Sequence, residues 1–127
     1  AFWNAPIDDP NHEENAVQAA IDMQKELIVL NKELATEGLP QINIGIGINT
    51  GEALVGNMGS SQRFDYSVIG DDVNLASRLE SSSKTLGKTL VIGEKTVKGA
   101  KHNYNFDYVD EITVKGKTEK IKVYTTT

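Results

Sequence analysis

From Ile42 to Ile48 isoleucine occupies every second position, with Asn43, Gly45 and Gly47 between. Period two is the pattern of a strand with one apolar face. It predicts a strand over 42–48 whose glycines turn away from the apolar side. Upstream the period changes: Val17, Ala20, Ile21, Leu27, Ile28, Leu30 and Leu34 recur three, four and seven apart. That spacing predicts a helix over roughly 11–37 lying on a sheet. Asn11 suits its N-cap, Glu13 and Glu14 suit the positive end of the helix, and Gly38-Leu39-Pro40 ends the pattern.

After the isoleucine strand, Asn49-Thr50-Gly51-Glu52 carries turn chemistry, and Ala53-Leu54-Val55-Gly56 reads as the returning arm of a hairpin. A further strand is predicted around Asp65 to Ile69, leading into Gly70. Asp71 or Asp72 caps a second helix that runs to Leu86, with Gly87 at its C-terminal end and a Leu75, Leu79, Leu86 stripe. Ser81-Ser82-Ser83 falls within this helix and reads as its solvated face. Thr89 to Ile92 predicts a short strand and Glu94 to Lys98 a helical turn. Tyr104 to Val109, Ile112 to Val114 and Ile121 to Tyr124 predict three more strands, the last two joined by Lys115-Gly116-Lys117-Thr118. The sum is an α+β chain with a mostly antiparallel sheet, without internal repeat, low-complexity tract or linker.

Composition narrows the class. A length of 127 residues allows one compact domain and not two. A formal charge of -5, not clustered along the chain, argues against a nucleic-acid-binding face. The absence of cysteine excludes a disulfide framework, a thiolate metal site and a thiol nucleophile, and fits a reducing, cytoplasmic setting. No apolar stretch approaches the roughly 20 residues of a bilayer span, and no basic region followed by an apolar run opens the chain. This segment is therefore expected to make no membrane contact. It begins without Met at Ala1-Phe2-Trp3, an apolar run that reads as the tail of a strand, so it is expected to be cut from a longer protein.

Two glycine patterns resemble phosphate loops and are set aside. Gly45-Ile46-Gly47-Ile48-Asn49-Thr50 has Thr50 where a dinucleotide fingerprint has its third glycine, and a strand rather than a helix follows. Gly87-Lys88-Thr89 has Ser82 at the first glycine position of a P-loop, and it runs helix to strand, the wrong order for helix amides to meet phosphate. His12 and His102, far apart in sequence, read as surface histidines rather than zinc ligands or catalytic bases.

The informative stretch is Phe64-Asp65-Tyr66-Ser67-Val68-Ile69-Gly70-Asp71-Asp72-Val73-Asn74-Leu75-Ala76-Ser77-Arg78-Leu79-Glu80. Asn74 and Arg78 stand four apart on the predicted helix, one turn above the other, on a face roughly 100° from the leucine stripe. An amide and a guanidinium so aligned suit a ribose and a phosphate. The same spacing also fits an arginine paired with a surface carboxylate beside a solvated asparagine.

The stretch resembles class III adenylate and guanylate cyclases, whose pattern is a tyrosine-containing strand, a glycine-led turn and V-N-x-A-S-R-L/M-E. The resemblance extends through Ile44-Gly45-Ile46-Gly47-Ile48-Asn49-Thr50-Gly51-Glu52, Val55-Gly56-Asn57-Met58-Gly59 and Val114-Lys115-Gly116-Lys117. Ala1-Phe2-Trp3-Asn4-Ala5-Pro6 is similar to the family's segment just after its second metal-binding aspartate.

The resemblance implies a ferredoxin-like class III cyclase fold with helices on one face of the sheet. Residues 1–127 would be the C-terminal portion of a single nucleotide cyclase catalytic domain, with its N-terminal part missing. It implies that Asn74 orients the ribose, that Arg78 stabilises charge on the α-phosphate, and that Lys115 contacts the triphosphate, with Lys117 as the alternative register. Ser67 falls at the base-selecting position, as in the bacterial-type adenylate cyclase subgroup with Thr or Ser there. A serine hydroxyl both donates and accepts, so Ser67 by itself does not choose adenine over guanine; the similarity of Tyr66-Ser67-Val68-Ile69-Gly70-Asp71 to that subgroup implies ATP as the substrate, with GTP the alternative. Two Mg or Mn ions are implied, held by aspartates upstream of Ala1 and not by Asp8, Asp9, Asp65, Asp71 or Asp72. The partner implied is a second cyclase domain in a homodimer, the parent protein being cytoplasmic or membrane-anchored. The isolated segment is expected to be inactive, and a catalytically dead cyclase-like regulatory domain is the competing reading.

Overall fold

A computed structural model describes residues 3–4, 8–58, 65–100, 104–113 and 120–126. The elements are α1 (His12–Thr36), β1 (Ile46–Ile48), β2 (Leu54–Met58), β3 (Asp65–Ile69), α2 (Asp71–Leu86), β4 (Leu90–Gly93), α3 (Glu94–Ala100), β5 (Phe106–Thr113) and β6 (Lys120–Thr126). One sheet has the order β1-β4-β6-β5, and β2 and β3 form a separate antiparallel pair. Among the described strands of this sheet only β1 and β4 run parallel; β4 with β6 and β5 with β6 are antiparallel. The α+β class and the mostly antiparallel sheet are as the sequence predicts.

The helices differ from the expectation in lying on both faces of the sheet. In β4, Leu90 and Ile92 join Ile48, Ala16, Val17 and Ala20 of α1 and Ala100 of α3 in one core. Val91, between them, packs with Leu75 and Leu79 of α2 and with Val123. All four residues of β4 are buried, as expected of a strand covered on both sides. The glycines of the isoleucine strand supply the second face. A Cβ on Gly47 would fall against the backbone N of Glu80 and 2.5 Å from the carbonyl O of Ala76. The backbone of α2 thus rests directly on β1. Ser83, expected on a solvated face, is buried, its side chain lying where a Cβ on Gly45 would sit.

Because backbone atoms cannot swing aside, Gly47→Ala is expected to push α2 off the sheet. The cost should be about 1–3 kcal/mol, the range for overpacking, read as a lowered urea midpoint with unchanged m-value.

The structure departs from the expectation at three further places. The isoleucine strand is regular only over Ile46–Ile48. The Asn31 side chain brackets the backbone of Ile42, donating to its carbonyl at 2.9 Å and accepting from its N–H at 2.8 Å. Those groups are therefore taken by a side chain and not by a neighbouring strand. The 53–56 segment does not return along β1; β2 pairs instead with β3, with Gly56 opposite Ser67. The stretches expected as two strands at 104–109 and 112–114 are a single β5 with a register shift between Tyr108 and Asp110. This bulge inserts Val109 and reverses the alternation. Phe106 consequently packs against the α1 core while Ile112 packs against the α2 core.

The stripe of α1 is buried only in its first half, at Ala16, Val17 and Ala20. Further along, Ile28 and Val29 are 58% and 52% exposed. Tyr104, beside Phe106, donates its hydroxyl to Gln18 Oε1 at 2.8 Å. Burial, and then the Glu14 and Asp22 carboxylates, push its pKa up, so it stays a neutral donor. Among the described residues no helix is long and apolar enough to cross a membrane.

Candidate active site

The second helix carries the Asn74 and Arg78 pair that the sequence singles out. Asp71 and Asp72 occupy its first turn, favourable at the positive end of a helix, yet neither caps it. Gly70 is the N-cap, without a side-chain hydrogen bond, and its carbonyl accepts from the Asn74 N–H at 3.1 Å. At the other end Gly87 adopts the left-handed conformation (φ 69°), and Lys88 N–H closes on the Ser83 carbonyl at 3.0 Å. A side chain at Gly87 would strain that turn.

Leu75 and Leu79 are buried and face the sheet, while the Ala76 and Glu80 backbone rests on β1. Successive residues turn by about 100°, so Asn74 and Arg78 come out on the opposite flank. Both are exposed, one turn apart. Among the described residues no carboxylate lies within ion-pair distance of Arg78, whose carbonyl accepts from the Ser82 hydroxyl at 2.8 Å. The paired-surface-arginine reading therefore has no partner there, and the guanidinium fork is presented to whatever approaches this flank.

Ser67 lies in the middle of β3, opposite Gly56, and the strand runs through Ile69 and Gly70 into α2. The same short turn thus connects the strand of Ser67 to the helix of Asn74 and Arg78. Lys115 and its alternative Lys117 fall in 114–119, between the paired ends Thr113 and Lys120, and lie outside the described residues. His12 contacts Glu13 at 3.1 Å, and His102 lies outside the described residues.

A cavity of about 260 Å³ opens beside the first turn of α2, lined by Ala16, Ile48, Asn49, Thr50, Asp72 and Val73 among others. Neither Asn74 nor Arg78 lines it. Among the described residues no three carboxylate or imidazole side chains converge as a metal ion requires. The described part of the chain does not fit a divalent-ion site.

The chain belongs to the adenylate and guanylate cyclase catalytic domain family, whose model matches residues 5–127. It is 34% identical over 124 residues to adenylate cyclase 1 of Rhizobium meliloti, covering 98% of this chain and 19% of that protein. It is 37% identical over 123 residues to the adenylate cyclase of Anabaena cylindrica, covering 91% of this chain and 24% of that protein. The chain thus spans a fifth to a quarter of the length of these curated relatives. Among solved structures, the adenylyl cyclase CyaB from P. aeruginosa superposes with a TM-score of 0.88 at 33% identity, over 97% of this chain and 63% of that one. The guanylyl cyclase Cya2 follows the same fold with a TM-score of 0.82 at 31% identity, over 97% and 61% of the two chains.

Sequence reasoning missed Asn49. It reads as a turn residue after β1, but its side chain reaches across to α2. The only signal was an Asn directly after a strand, which is common in turns.

Proposed function

We propose that the parent protein is an adenylate cyclase that converts ATP to 3′,5′-cyclic AMP and pyrophosphate. Residues 1–127 are then the C-terminal portion of its single catalytic domain. The observation that carries this reading is the Asn74 and Arg78 pair, exposed on a helix flank that the core leaves bare, in a chain of the cyclase family. In the reaction the ribose 3′ oxygen forms a bond to the α-phosphorus as the bond to the bridging oxygen of pyrophosphate breaks. The Asn74 amide holds the ribose, and the Arg78 fork meets the charge that grows on the α-phosphate oxygens. Lys115 binds the triphosphate, and Ser67 contacts the base edge. Two divalent ions, magnesium or manganese, held by aspartates upstream of Ala1, would supply Lewis-acid chemistry at the phosphates in the intact enzyme.

The complementary half of the site comes from a second cyclase domain in a homodimer, which explains why Asn74 and Arg78 face outward. ATP places the working domain in the cytoplasm, whatever anchors the parent protein. The test is pyrophosphate release and cyclic nucleotide formation by the complete domain with ATP and with GTP. Cyclic AMP formation at a clear excess over cyclic GMP is expected; the reverse preference makes the protein a guanylate cyclase, and no product from either overturns the enzymatic reading. The 127-residue segment assayed alone is expected to give no metal-dependent product, and turnover by it would refute the division of the site between two halves.

A further inference from the structure

We infer that Asn49 is a positioning residue for the Asn74 and Arg78 pair, its side-chain amide clamping the first turn of α2 to the end of β1. The inference rests on the cyclase reading above for its effect on turnover. Asn49 directly follows Ile48, the last residue of β1. Its Nδ2 donates to the backbone carbonyl of Asp72 at 2.9 Å and lies 3.4 Å from Asp72 Oδ1. Asp72 stands two residues before Asn74 and six before Arg78. The N-cap of α2 supplies no side-chain hydrogen bond; the Asn49 amide does not replace it, since it donates to a carbonyl, but it ties the first turn to the end of β1.

The surroundings are shaped to this contact. A Cβ on Gly51 would strike the Asp72 carboxylate, and a Cβ on Gly93 would stand 2.7 Å from Asn49 Oδ1. Two glycines from different segments therefore leave the slot in which the amide sits. The turn that follows is tied down as well: Thr50 Oγ1 and Thr96 Oγ1 are 2.7 Å apart, and Thr96 is fully buried. Lys95 Nζ approaches Asp72 Oδ1 at 3.7 Å, but its side chain is 65% exposed, so this ion pair contributes little by comparison. A helix moves as a rigid body over so short a distance. Any shift of its first turn is passed to Asn74 and Arg78, and misplacement of a catalytic group by about 1 Å costs about 100-fold in rate.

The test uses the full-length parent protein. Asn49→Leu keeps the size of the side chain and removes the donor. It is expected to lower kcat by about 10- to 100-fold while KM for the nucleotide stays within about threefold. Asn49→His places Nδ1–H the same number of bonds from Cβ as Asn Nδ2, with the neighbouring cavity to receive the ring, and is expected to restore most of the turnover. Wild-type kcat in Asn49→Leu, or a loss in Asn49→His as deep as in Asn49→Leu, overturns the inference. If Asn49→Leu does not fold, Asn49→Ala against Asn49→His makes the same comparison without adding charge beside Asp72. Amide hydrogen exchange gives an independent readout: residues 74–78 should exchange about tenfold faster in the donor-less variant while α1 does not change. If the unaltered protein makes no cyclic nucleotide, the cyclase reading fails and exchange alone decides; unchanged exchange in α2 then overturns the clamp.

Discussion

Under the proposed cyclase reaction, Arg78→Ala in the full-length parent protein is expected to lower kcat by about 10²- to 10³-fold, a loss of about 3–4 kcal/mol of transition-state stabilisation. KM should stay within about threefold, because a group that meets developing charge contributes little to ground-state binding. Arg78 is exposed, and among the described residues it has no carboxylate partner. Its removal therefore breaks no ion pair among the described residues, and the fold should tolerate it. Steady-state kinetics with a thermal melt at the same pH checks both halves. Arg78→Lys should recover only part of the loss, since a single ammonium replaces a planar fork. A rise in KM matching the fall in kcat/KM would assign Arg78 to uniform substrate binding instead.

Leu79→Ala is expected to destabilise the chain by about 2–5 kcal/mol, the range for emptying a buried leucine site. Leu79 is fully buried between α2 and the sheet, against Leu75, Val91 and Val123. The loss is expected at the upper part of the range. The Ala76 and Glu80 backbone of α2 already rests on β1 at Gly47, so the helix cannot settle inward to close the void. Chemical denaturation measures the effect directly. Exposed Ser77, two residues earlier on the same helix, is the control, and Ser77→Ala should change stability by less than about 0.5 kcal/mol.

The placement of Asn74 beside Arg78 was legible in the sequence because both lie within one helix. The identity of neighbours four apart follows from helical pitch alone, so Asn74 and Arg78 were placed together, clear of the leucine stripe, by counting residues. The strand of Ser67 was legible for a similar reason, since Gly70 marks where it gives way to α2. Asn49 was not legible: its contact with Asp72 spans 23 positions in the chain, and nothing in a turn asparagine says which distant carbonyl it will meet. The glycines misled in the same way. At Gly45 and Gly47 the missing side chains mark an empty face in the sequence, but in the fold that face is where the backbone of α2 lies closest.

What the sequence by itself determined was the kind of each element and the chemistry it carries, because period, caps and turn residues act through backbone geometry over a few positions. The helix at α2, the strand at β3, the antiparallel ending and the family motif all follow from such short-range rules. Tertiary structure alone decided how these pieces pair: β1 beside β4 rather than β2, helices on both faces of the sheet, a bulge that sends Phe106 and Ile112 to opposite cores, and a strand shortened because Asn31 occupies the backbone of Ile42. Those choices depend on which distant surfaces can approach closely enough to exclude water and satisfy every backbone donor and acceptor. Many pairings share one local pattern, and only the packed chain selects among them.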